Sequence, residues 1–501
     1  MDNEINIKRF SFRRSLHYHF IEKKLNTFVG FVFLVLVAAG FAYGITLVDL
    51  KISLIVLAGL GVFLTFILIM KWPYFGFYFI IVYSSLVVVI DRLVSLPLPS
   101  GLLIEVFSYV CLLSILLNYD LKKNINLRFY TNPISIGMYI LFAFYIVELF
   151  NPEMNGPYSW VGWISFFRKQ FSFFVFYYMS YCLLDSKARI IYFVRFIIVL
   201  STILALYACK QQWFGYANFE LAWIGTGNGY QLLFQGGLLR KFSVFSDPGT
   251  SGILFASIAM LCVILIFRLT EKKERIWLSV ALVINLLGYS YSGTRTATLM
   301  LVAGIVLYCI SAIFERRTVI FLCYAIGVYI ALIVMPFQNA VTYRIRSTFE
   351  GTKDASAAVR DYDRHEVQPY IQAHPIGGGI FTVGGEGTKY NEGHYLEFLQ
   401  ADSGYMKVVA EQGPVGLVLL LSFYFILMRV GYRSFYRVKD PEIRTYYIAL
   451  LIMTFTFMVA QYAQITLSQY PMALNFYGTL VIFIKLADFD KSVQPQKTIQ
   501  T

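Results

Sequence analysis

Apolar runs long enough to cross a lipid bilayer recur along most of the chain, separated by short polar stretches. A helix needs about 20 mainly apolar residues to span the hydrocarbon core, and the pattern predicts about fourteen such helices. The predicted spans cover residues 27–48, 51–70, 74–90, 102–117, 133–149, 170–184, 190–209, 250–268, 276–290, 297–313, 318–335, 412–430, 445–464 and 471–487. The pattern therefore predicts an all-α polytopic membrane protein, since helices satisfy their own backbone hydrogen bonds in lipid.

The polar stretches predict how the chain is organised. Only the segment 336–411 is long enough to build a small loop subdomain, with a helix predicted over 359–373 and a Gly-rich turn at 375–379. The predicted parts are a basic arm at 1–26, helices over 27–335 with polar loops at 150–170 and 210–250, the large loop at 336–411, helices over 412–487, and a tail at 488–501.

Composition and charge support the membrane assignment and predict its orientation. Only 14% of the residues are charged and 58% are hydrophobic, whereas soluble chains carry about 25% charged residues. The net charge of +13 comes mainly from Lys and Arg in alternate short loops, which is typical of cytoplasmic loops. We therefore expect both termini inside a bacterial inner membrane, the large loop outside, and no nucleic-acid partner. The basic arm lacks a small-residue cleavage site, so we expect it to anchor at the lipid surface and not to be cleaved.

Cysteine placement indicates neither a disulfide framework nor a zinc site. All six cysteines lie in or at the ends of apolar runs, and none lies within a long polar loop. Structural zinc sites and disulfide-rich scaffolds need clustered cysteines in polar segments. We expect no metal and no cofactor.

Arginines on the predicted outer face are the main candidates for binding. Orientation rules disfavour arginine there, and a guanidinium close to lipid is costly unless it is paired. The planar guanidinium suits bidentate contact with phosphate, which favours a site for a diphosphate at the membrane surface. Local pairing with aspartates in the same loops is the alternative. The candidates are Arg240, Arg295, Arg360 and Arg364.

The large loop also holds candidates for a general base. Of its three histidines, His394 lies nearest the next apolar run, and a neutral imidazole can accept a proton from a hydroxyl. Solvated loop histidines are common, so position alone does not assign the role. Asp402 is a second candidate, and it could equally serve as a turn residue before Ser403. Glu411 could complement a helix start.

Three stretches resemble the O-antigen ligase and polymerase superfamily of bacterial membrane glycosyltransferases. The stretch 240–252 is similar to the family's Arg…Pro segment that leads into a membrane helix. Residues 292–295, Ser-Gly-Thr-Arg, resemble its Ser-x-Ser/Thr-Arg turn. The stretch 360–417 is similar to its Arg…Pro-x-x-Gly-x-Gly…His…Glu-x-Gly-x-x-Gly loop. The resemblance covers about residues 200–430 and implies a GT-C-like fold.

The resemblance also implies a mechanism and partners. It implies metal-independent, inverting transfer from a polyprenyl-diphosphate-linked glycan to a glycan or to lipid A core. The arginines would bind the diphosphate, and the loop histidine would deprotonate the acceptor hydroxyl. At the place of the family histidine this chain has Asp402, with His394 two turns earlier. Either residue can be the base, and His394 is the first choice.

Two functional classes follow from these patterns. The first is a polymerase or a ligase of surface polysaccharide, with the number of predicted spans leaning towards the polymerase. The second is a transporter or flippase of an anionic lipid or solute, which should carry ionisable residues at mid-membrane, broken helices and repeated halves. The sequence shows few charges inside its apolar runs and no repeat, which favours the glycosyltransferase.

Overall fold

A computed structural model defines the fold over most of the chain. It describes residues 27–32, 35–36, 50–94, 100–122, 124, 126–235, 238–334 and 355–490, and at a few of these, including 328–334 and 355–360, the backbone alone. The basic arm, most of the first predicted span and residues 336–354 lie outside the described residues. The chain divides into two units, Met1–Ile67 and Leu68–Thr501, and the second holds all of the site described below.

Helices make up nearly all of the described secondary structure, and the exception is one antiparallel pair of two-residue strands. In chain order the elements are α1 (Leu50–Lys71), α2 (Pro73–Val94), α3 (Ser100–Leu117), α4 (Tyr119–Lys122), α5 (Leu127–Thr131), α6 (Pro133–Val147), a 3₁₀ turn (Glu148–Phe150), α7 (Ser159–Leu183), α8 (Lys187–Trp213), α9 (Asn218–Ile224), α10 (Asn228–Leu233), β1 (Phe234–Gln235), β2 (Leu238–Leu239), α11 (Pro248–Arg268), α12 (Lys272–Ser292), α13 (Arg295–Ser311), α14 (Arg316–Val334), α15 (Ala355–Ala373), α16 (Gly384–Tyr390), α17 (Gly404–Arg437), α18 (Pro441–Ala460), α19 (Met472–Lys485) and a 3₁₀ turn (Leu486–Phe489).

The polytopic helical architecture is confirmed. Seven of the described helices are long and apolar enough to cross a membrane: α2, α6, α8, α11, α17, α18 and α19. Every predicted span after the first coincides with a helix, but several of these are shorter or less apolar than a full crossing requires. The number of about fourteen spans therefore stays a prediction.

Several of the long helices begin at the same local signal, a capping side chain followed by proline. Asn132, Asp247 and Asp440 each precede a proline, and the side-chain oxygen of each accepts a hydrogen bond from a backbone N–H of the first turn at 2.8–2.9 Å. This cap satisfies an otherwise unpaired donor, while proline at the first helical position loses nothing by lacking its N–H. These starts fix where polar loops meet the helices.

The centre of the second unit is formed by α11 and α18. Both helices are about four-fifths buried within the protein, they pack against each other, and α13 packs against both. The side chains of these two helices are mainly apolar, and most of the polar residues lie in the loops at the helix ends. The candidate site lies where several of these loops meet.

Two helices begin earlier than the apolar runs predict. The helix α7 starts at Ser159 within the predicted 150–170 loop, and α17 starts at Gly404 within the predicted large loop. The helix expected over 359–373 is confirmed as α15. Hydropathy marks the part of a helix that suits lipid, whereas backbone hydrogen bonding continues through polar turns.

Candidate functional site

The Gly-rich turn after α15 packs directly on a kink in α17. Gly413 interrupts α17 with φ +66° and ψ −179°, and Gly377 has φ +74°. A Cβ at Gly413 would lie 2.1 Å from the Pro375 carbonyl oxygen, and one at Gly377 would lie 2.4 Å from the Gly413 nitrogen. The Gly379 N–H donates to the Glu411 carbonyl at 2.7 Å. Only glycine fits this contact, so two separate stretches of the sequence motif form one backbone unit.

The first polar loop is tied to the same turn. Asn151 is buried, and its amide donates to the Glu148 carboxylate at 3.0 Å and to the carbonyl oxygens of Ile376 and Gly377 at 3.2 and 3.3 Å. The Glu148 side chain is also buried. The loop after α6 therefore helps to fix the Gly-rich turn.

Glu411 is a buried carboxylate beside this turn. Its residue is only 2% exposed, and Lys407, one turn earlier on α17, lies 3.7 Å from its Oε1. Lys407 also forms an ion pair with Glu386 of α16 and lies 5.3 Å from the centre of the Phe381 ring. An unpaired buried charge is strongly destabilising, so the lysine stabilises both carboxylates. The ion pairs hold α16 against the start of α17.

A second pair of basic residues enters the site from α7. Arg168 Nε lies 2.7 Å from Oε2 of Glu105, a buried residue of α3. Next to it, Lys169 Nζ lies 5.9 Å from the ring centre of Tyr470. The Tyr470 hydroxyl is 3.3 Å from Ser172 Oγ, one turn further along α7. The charges of Glu386, Lys407 and Glu105 also act on Lys169.

Of the loop histidines, His374 is fixed at the end of α15. Its Nδ1 donates to the Tyr370 carbonyl at 2.8 Å, and its ring stacks on the Tyr370 ring with centres 4.0 Å apart. Its Nε2 lies 3.6 Å from Oε1 of Glu153. This histidine thus joins α15 to the first polar loop.

The predicted base His394 lies over the Gly-rich turn. A Cβ at Gly378 would be 2.7 Å from its Cε1. Its Nδ1 accepts the Leu396 N–H at 3.1 Å, and its Nε2 is 3.5 Å from the Tyr370 hydroxyl. Burial lowers the pKa of the His394 imidazole and raises the pKa of Tyr370 to about 12. The ring is therefore held neutral, with its Nδ1 lone pair already engaged.

Asp402 lies at the start of α17. It is exposed and precedes Ser403, whose hydroxyl caps the helix by accepting the Met406 N–H. Burial and then the charge of Asp402 raise the pKa of Asp363 on α15. Asp402 is therefore close enough to Asp363 for its charge to act on that carboxyl.

The predicted arginine stretches around 240 and 292 form one hydrogen-bonded unit. Arg240 Nε donates to the Ser292 carbonyl at 2.8 Å, and its Nη2 donates to Thr294 Oγ1 at 3.1 Å. The Thr294 hydroxyl in turn donates to the Pro248 carbonyl at 2.8 Å. A Cβ at Gly252 would lie 2.4 Å from Ser292 Oγ, so α11 meets the turn closely. We call residues 240–252 together with 292–295 the arginine unit.

The other predicted arginines lie near this unit or on the loop subdomain. Arg295 is partly buried and is the first residue of α13, directly after the turn. Arg364 of α15 lies 3.4 Å from Asp361 and 4.8 Å from the centre of the Tyr462 ring. Arg360 lies on α15 as well, and its side chain is outside the described residues. The local pairing expected as an alternative is thus present for Arg364.

The loop between α18 and α19, residues 461–471, contacts both halves of the site. Thr250 of the arginine unit lies 3.3 Å from Gln469, oxygen to oxygen. The Gly404 N–H at the start of α17 donates to the Gln461 carbonyl at 2.9 Å. Through Tyr470 the same loop reaches Lys169. This connecting loop therefore joins the arginine unit to the loop subdomain.

One arginine absent from the sequence prediction lies against the arginine unit. Arg92, near the end of α2, lies against a pair of adjacent aromatic rings, 3.9 Å from the centre of Trp223 and 4.7 Å from that of Phe242. Its Nη2 lies 3.4 Å from the Ser246 carbonyl. Stacked arginines keep their in-plane donors available for anions. In the sequence, Arg92 is recognisable only as a single arginine near the end of an apolar run.

The structure corrects the expectation of few charges among the membrane helices. Buried or partly buried charged residues that the prediction passed over are Glu105, Arg168, Lys169 and Lys407. Isolated ionisable residues within or beside apolar runs are the signal that identifies such sites. Among the described residues, no three His, Cys, Asp or Glu side chains group as metal ligands.

The fold and the site together define a polytopic helical membrane protein with a polar, charge-rich site where its helix ends meet a small loop subdomain. Residues 280–421 match the family model Wzy_C, described as O-antigen ligase, and the match confirms the superfamily resemblance for this part of the chain. It covers the Ser292–Arg295 turn, α15, the Gly-rich turn and the kink of α17. No curated protein is matched by the sequence.

Proposed function

We propose that this protein is a membrane glycosyltransferase that moves a glycan from a polyprenyl-diphosphate carrier to an acceptor hydroxyl, outside the cytoplasm. The main support for the proposal is that the motif stretches, which are far apart in the sequence, contact one another in the structure. The arginine unit and the turn on Gly413 are each built from segments distant in sequence. The connecting loop contacts the arginine unit at Thr250 and the start of α17 at Gly404. The O-antigen ligase match over 280–421 supports the same reaction class.

The proposed reaction needs a cationic site for the leaving group and one proton acceptor. The acceptor oxygen bonds to the anomeric carbon as the bond from that carbon to the diphosphate oxygen breaks. The electron pair leaves with the diphosphate, and the hydroxyl proton passes to the base. Guanidinium groups stabilise the charge that develops on the diphosphate. Arg240 and Arg295 hold it from the arginine unit, and Arg360 and Arg364 hold it from α15.

The geometry supports Asp402 as the base over His394. In a neutral imidazole only one nitrogen has a free lone pair, and at His394 that lone pair accepts the Leu396 N–H. The ring would have to give up this hydrogen bond to accept a substrate proton. Asp402 is exposed at the start of α17, and its charge acts on Asp363 of α15. We assign His394 to the framework around Tyr370, with its role as base the alternative.

The test uses a strain that lacks the gene and is complemented with variants. Arg295→Ala should abolish surface glycan while the protein accumulates normally in the membrane. Arg433→Ala, an exposed arginine of α17 outside the site, is the control and should restore the glycan. If Arg295→Ala also restores it, Arg295 is not part of the site.

The glycans of the deletion strain separate the functional classes. Single repeat units on the surface indicate a lost polymerase. Long chains that stay on the lipid carrier outside the cytoplasm indicate a lost ligase. Carrier-linked units that accumulate only inside the cell indicate a transporter. Transporters also carry ionisable residues between their membrane helices, as α3 and α7 do here. That last outcome would overturn the proposal.

A further inference from the structure

Three aromatic rings of the loop subdomain form a stack that ends at the protein surface. The Tyr370 ring lies nearly parallel to that of His374, with centres 4.0 Å apart and planes at 19°, and to that of Tyr395, with centres 5.3 Å apart and planes at 13°. Tyr370 also packs against the apolar core of the subdomain. The stack is therefore fixed from the inside of the subdomain, and the ring contacts add to its order.

The turn after α16 holds Tyr395 outward. Leu396 is buried in the subdomain core, whereas the preceding Tyr395 is 61% exposed. The Gly393 N–H donates to the Glu397 carboxylate at 2.7 Å, which closes the turn around Tyr395. Because one face of the Tyr395 ring lies on Tyr370, its exposed area belongs to the other face and the edge. A flat, largely apolar surface is thus held open in one orientation.

Carboxylates lie next to this stack. Oε1 of Glu153, from the first polar loop, lies 3.6 Å from His374 Nε2, and the Glu153 side chain is 38% exposed. The charge of Glu153 also acts on Tyr370 and His394, and that of Glu397 acts on His394. The surface therefore combines an aromatic face with partly exposed hydrogen-bond acceptors. A sugar ring has the matching character, because its C–H groups form apolar faces and its hydroxyls, which donate hydrogen bonds, lie around the edge.

We propose that the exposed face of Tyr395 binds a sugar ring of the glycan substrate, beside the carboxylate of Glu153. Donor and acceptor glycans share this chemistry, and the experiment separates them. The position suits either glycan, because His394, which contacts the Tyr370 hydroxyl, also lies over Gly378 of the Gly-rich turn. This inference rests on the proposed glycosyl transfer. A tyrosine that only anchors the loop at the membrane interface is the other outcome of the test.

The first measurement is binding, which does not depend on transfer. Purified full-length protein in lipid nanodiscs is titrated in a calorimeter with an oligosaccharide of two repeat units, released by mild hydrolysis from the surface polysaccharide of the wild-type strain. Tyr395→Ala removes the ring, and Tyr395→Phe keeps it. Phe398→Ala is the matched control, because Phe398 lies three residues further along, is 84% exposed and belongs to no ring stack among the described residues.

Tyr395→Ala should weaken binding of the oligosaccharide by about threefold to tenfold, the loss of one aromatic contact. Tyr395→Phe and Phe398→Ala should bind like the wild type. Failure of the wild type to bind, or equal binding by the wild type and Tyr395→Ala, overturns the inference. An equal loss in Phe398→Ala overturns it as well, because that result indicates a general effect at the membrane interface.

The second measurement is transfer by the same proteins, with donor and acceptor concentrations varied separately. In Tyr395→Ala, a higher KM for the acceptor assigns the bound sugar to the acceptor glycan, and a higher KM for the donor assigns it to the donor glycan. Absence of transfer by the wild type defeats the proposed function, whereas the binding result still decides whether Tyr395 holds a sugar.

Discussion

The contact between the Gly-rich turn and the kink of α17 gives a prediction whose size follows from the structure. We consider Gly413→Ala. A residue with a side chain in this backbone region costs about 1–3 kcal/mol. The new Cβ would also lie 2.1 Å from the Pro375 carbonyl oxygen, a backbone atom that cannot rotate away. Overpacking of this kind adds about 1–3 kcal/mol, so the total destabilisation should reach several kcal/mol.

Two further glycines separate the strain from the clash. Gly393 has φ +84° but no heavy atom within 4 Å of an added Cβ, so Gly393→Ala carries only the backbone strain of about 1–2 kcal/mol. Gly385, in the first turn of α16, has neither a positive φ nor a close neighbour. Gly385→Ala should be neutral or slightly stabilising, because alanine favours helix by about 1 kcal/mol.

The assay compares thermal unfolding of the three purified variants in one detergent at one heating rate, since membrane proteins often unfold irreversibly. The midpoint should fall most for Gly413→Ala, less for Gly393→Ala and not at all for Gly385→Ala. Gly413→Ala should also lose glycan product, because the displaced turn directly follows α15, which carries the proposed diphosphate ligands Arg360 and Arg364. A Gly413→Ala midpoint equal to that of Gly385→Ala would refute the close contact.

Three other predictions concern individual side chains. Arg240→Lys keeps the charge but loses the forked contacts that join two segments, so product should fall nearly as far as in Arg240→Ala; full activity on a glycan gel would contradict this. Lys407→Met leaves the Glu411 carboxyl buried without its polar partner, which should destabilise the protein by about 1–3 kcal/mol, and a thermal midpoint within error of wild type would contradict the ion pair. Asp402→Asn should abolish transfer at every pH, whereas His394→Asn should keep partial activity. If His394 is the base, burial lowers its pKa, so the transfer rate should stay high on acidification until the pH falls below about 6.5. A fall in the rate below that pH that is absent in His394→Asn would assign the role of base to the histidine.

The helices could be predicted from the sequence because lipid imposes a strong and local pattern. Apolar runs and the capping residues before Pro133, Pro248 and Pro441 place most of them. The early starts at Ser159 and Gly404 could not be predicted in the same way. Charged residues, Arg168 and Lys169 in α7 and Lys407 and Glu411 in α17, interrupt the apolar run inside each helix. Hydropathy does not distinguish such a polar helical turn from a loop.

The site was predictable only where its chemistry is concentrated in short motifs. The turn that contains Thr294 and the Gly-rich turn were found because each is a compact stretch of sequence. Glu105 and Arg168, in contrast, are far apart in the chain and form an ion pair only after α3 and α7 pack together. Each appeared in the sequence as a single charge at the edge of an apolar run, which is also the place of ordinary interfacial residues.

The connecting loop shows why the family match alone does not define the site. The match ends at residue 421, yet Gly249 and Thr250 depend on a loop beyond it: a Cβ at Gly249 would lie 1.9 Å from Gln464, and Thr250 contacts Gln469. The same loop accepts a hydrogen bond from the Gly404 N–H at the start of α17. A shift of this loop would therefore move the arginine unit and the base region together. The proposed transfer needs both in register, because a bound donor reacts only when its anomeric carbon lies within reach of the acceptor hydroxyl.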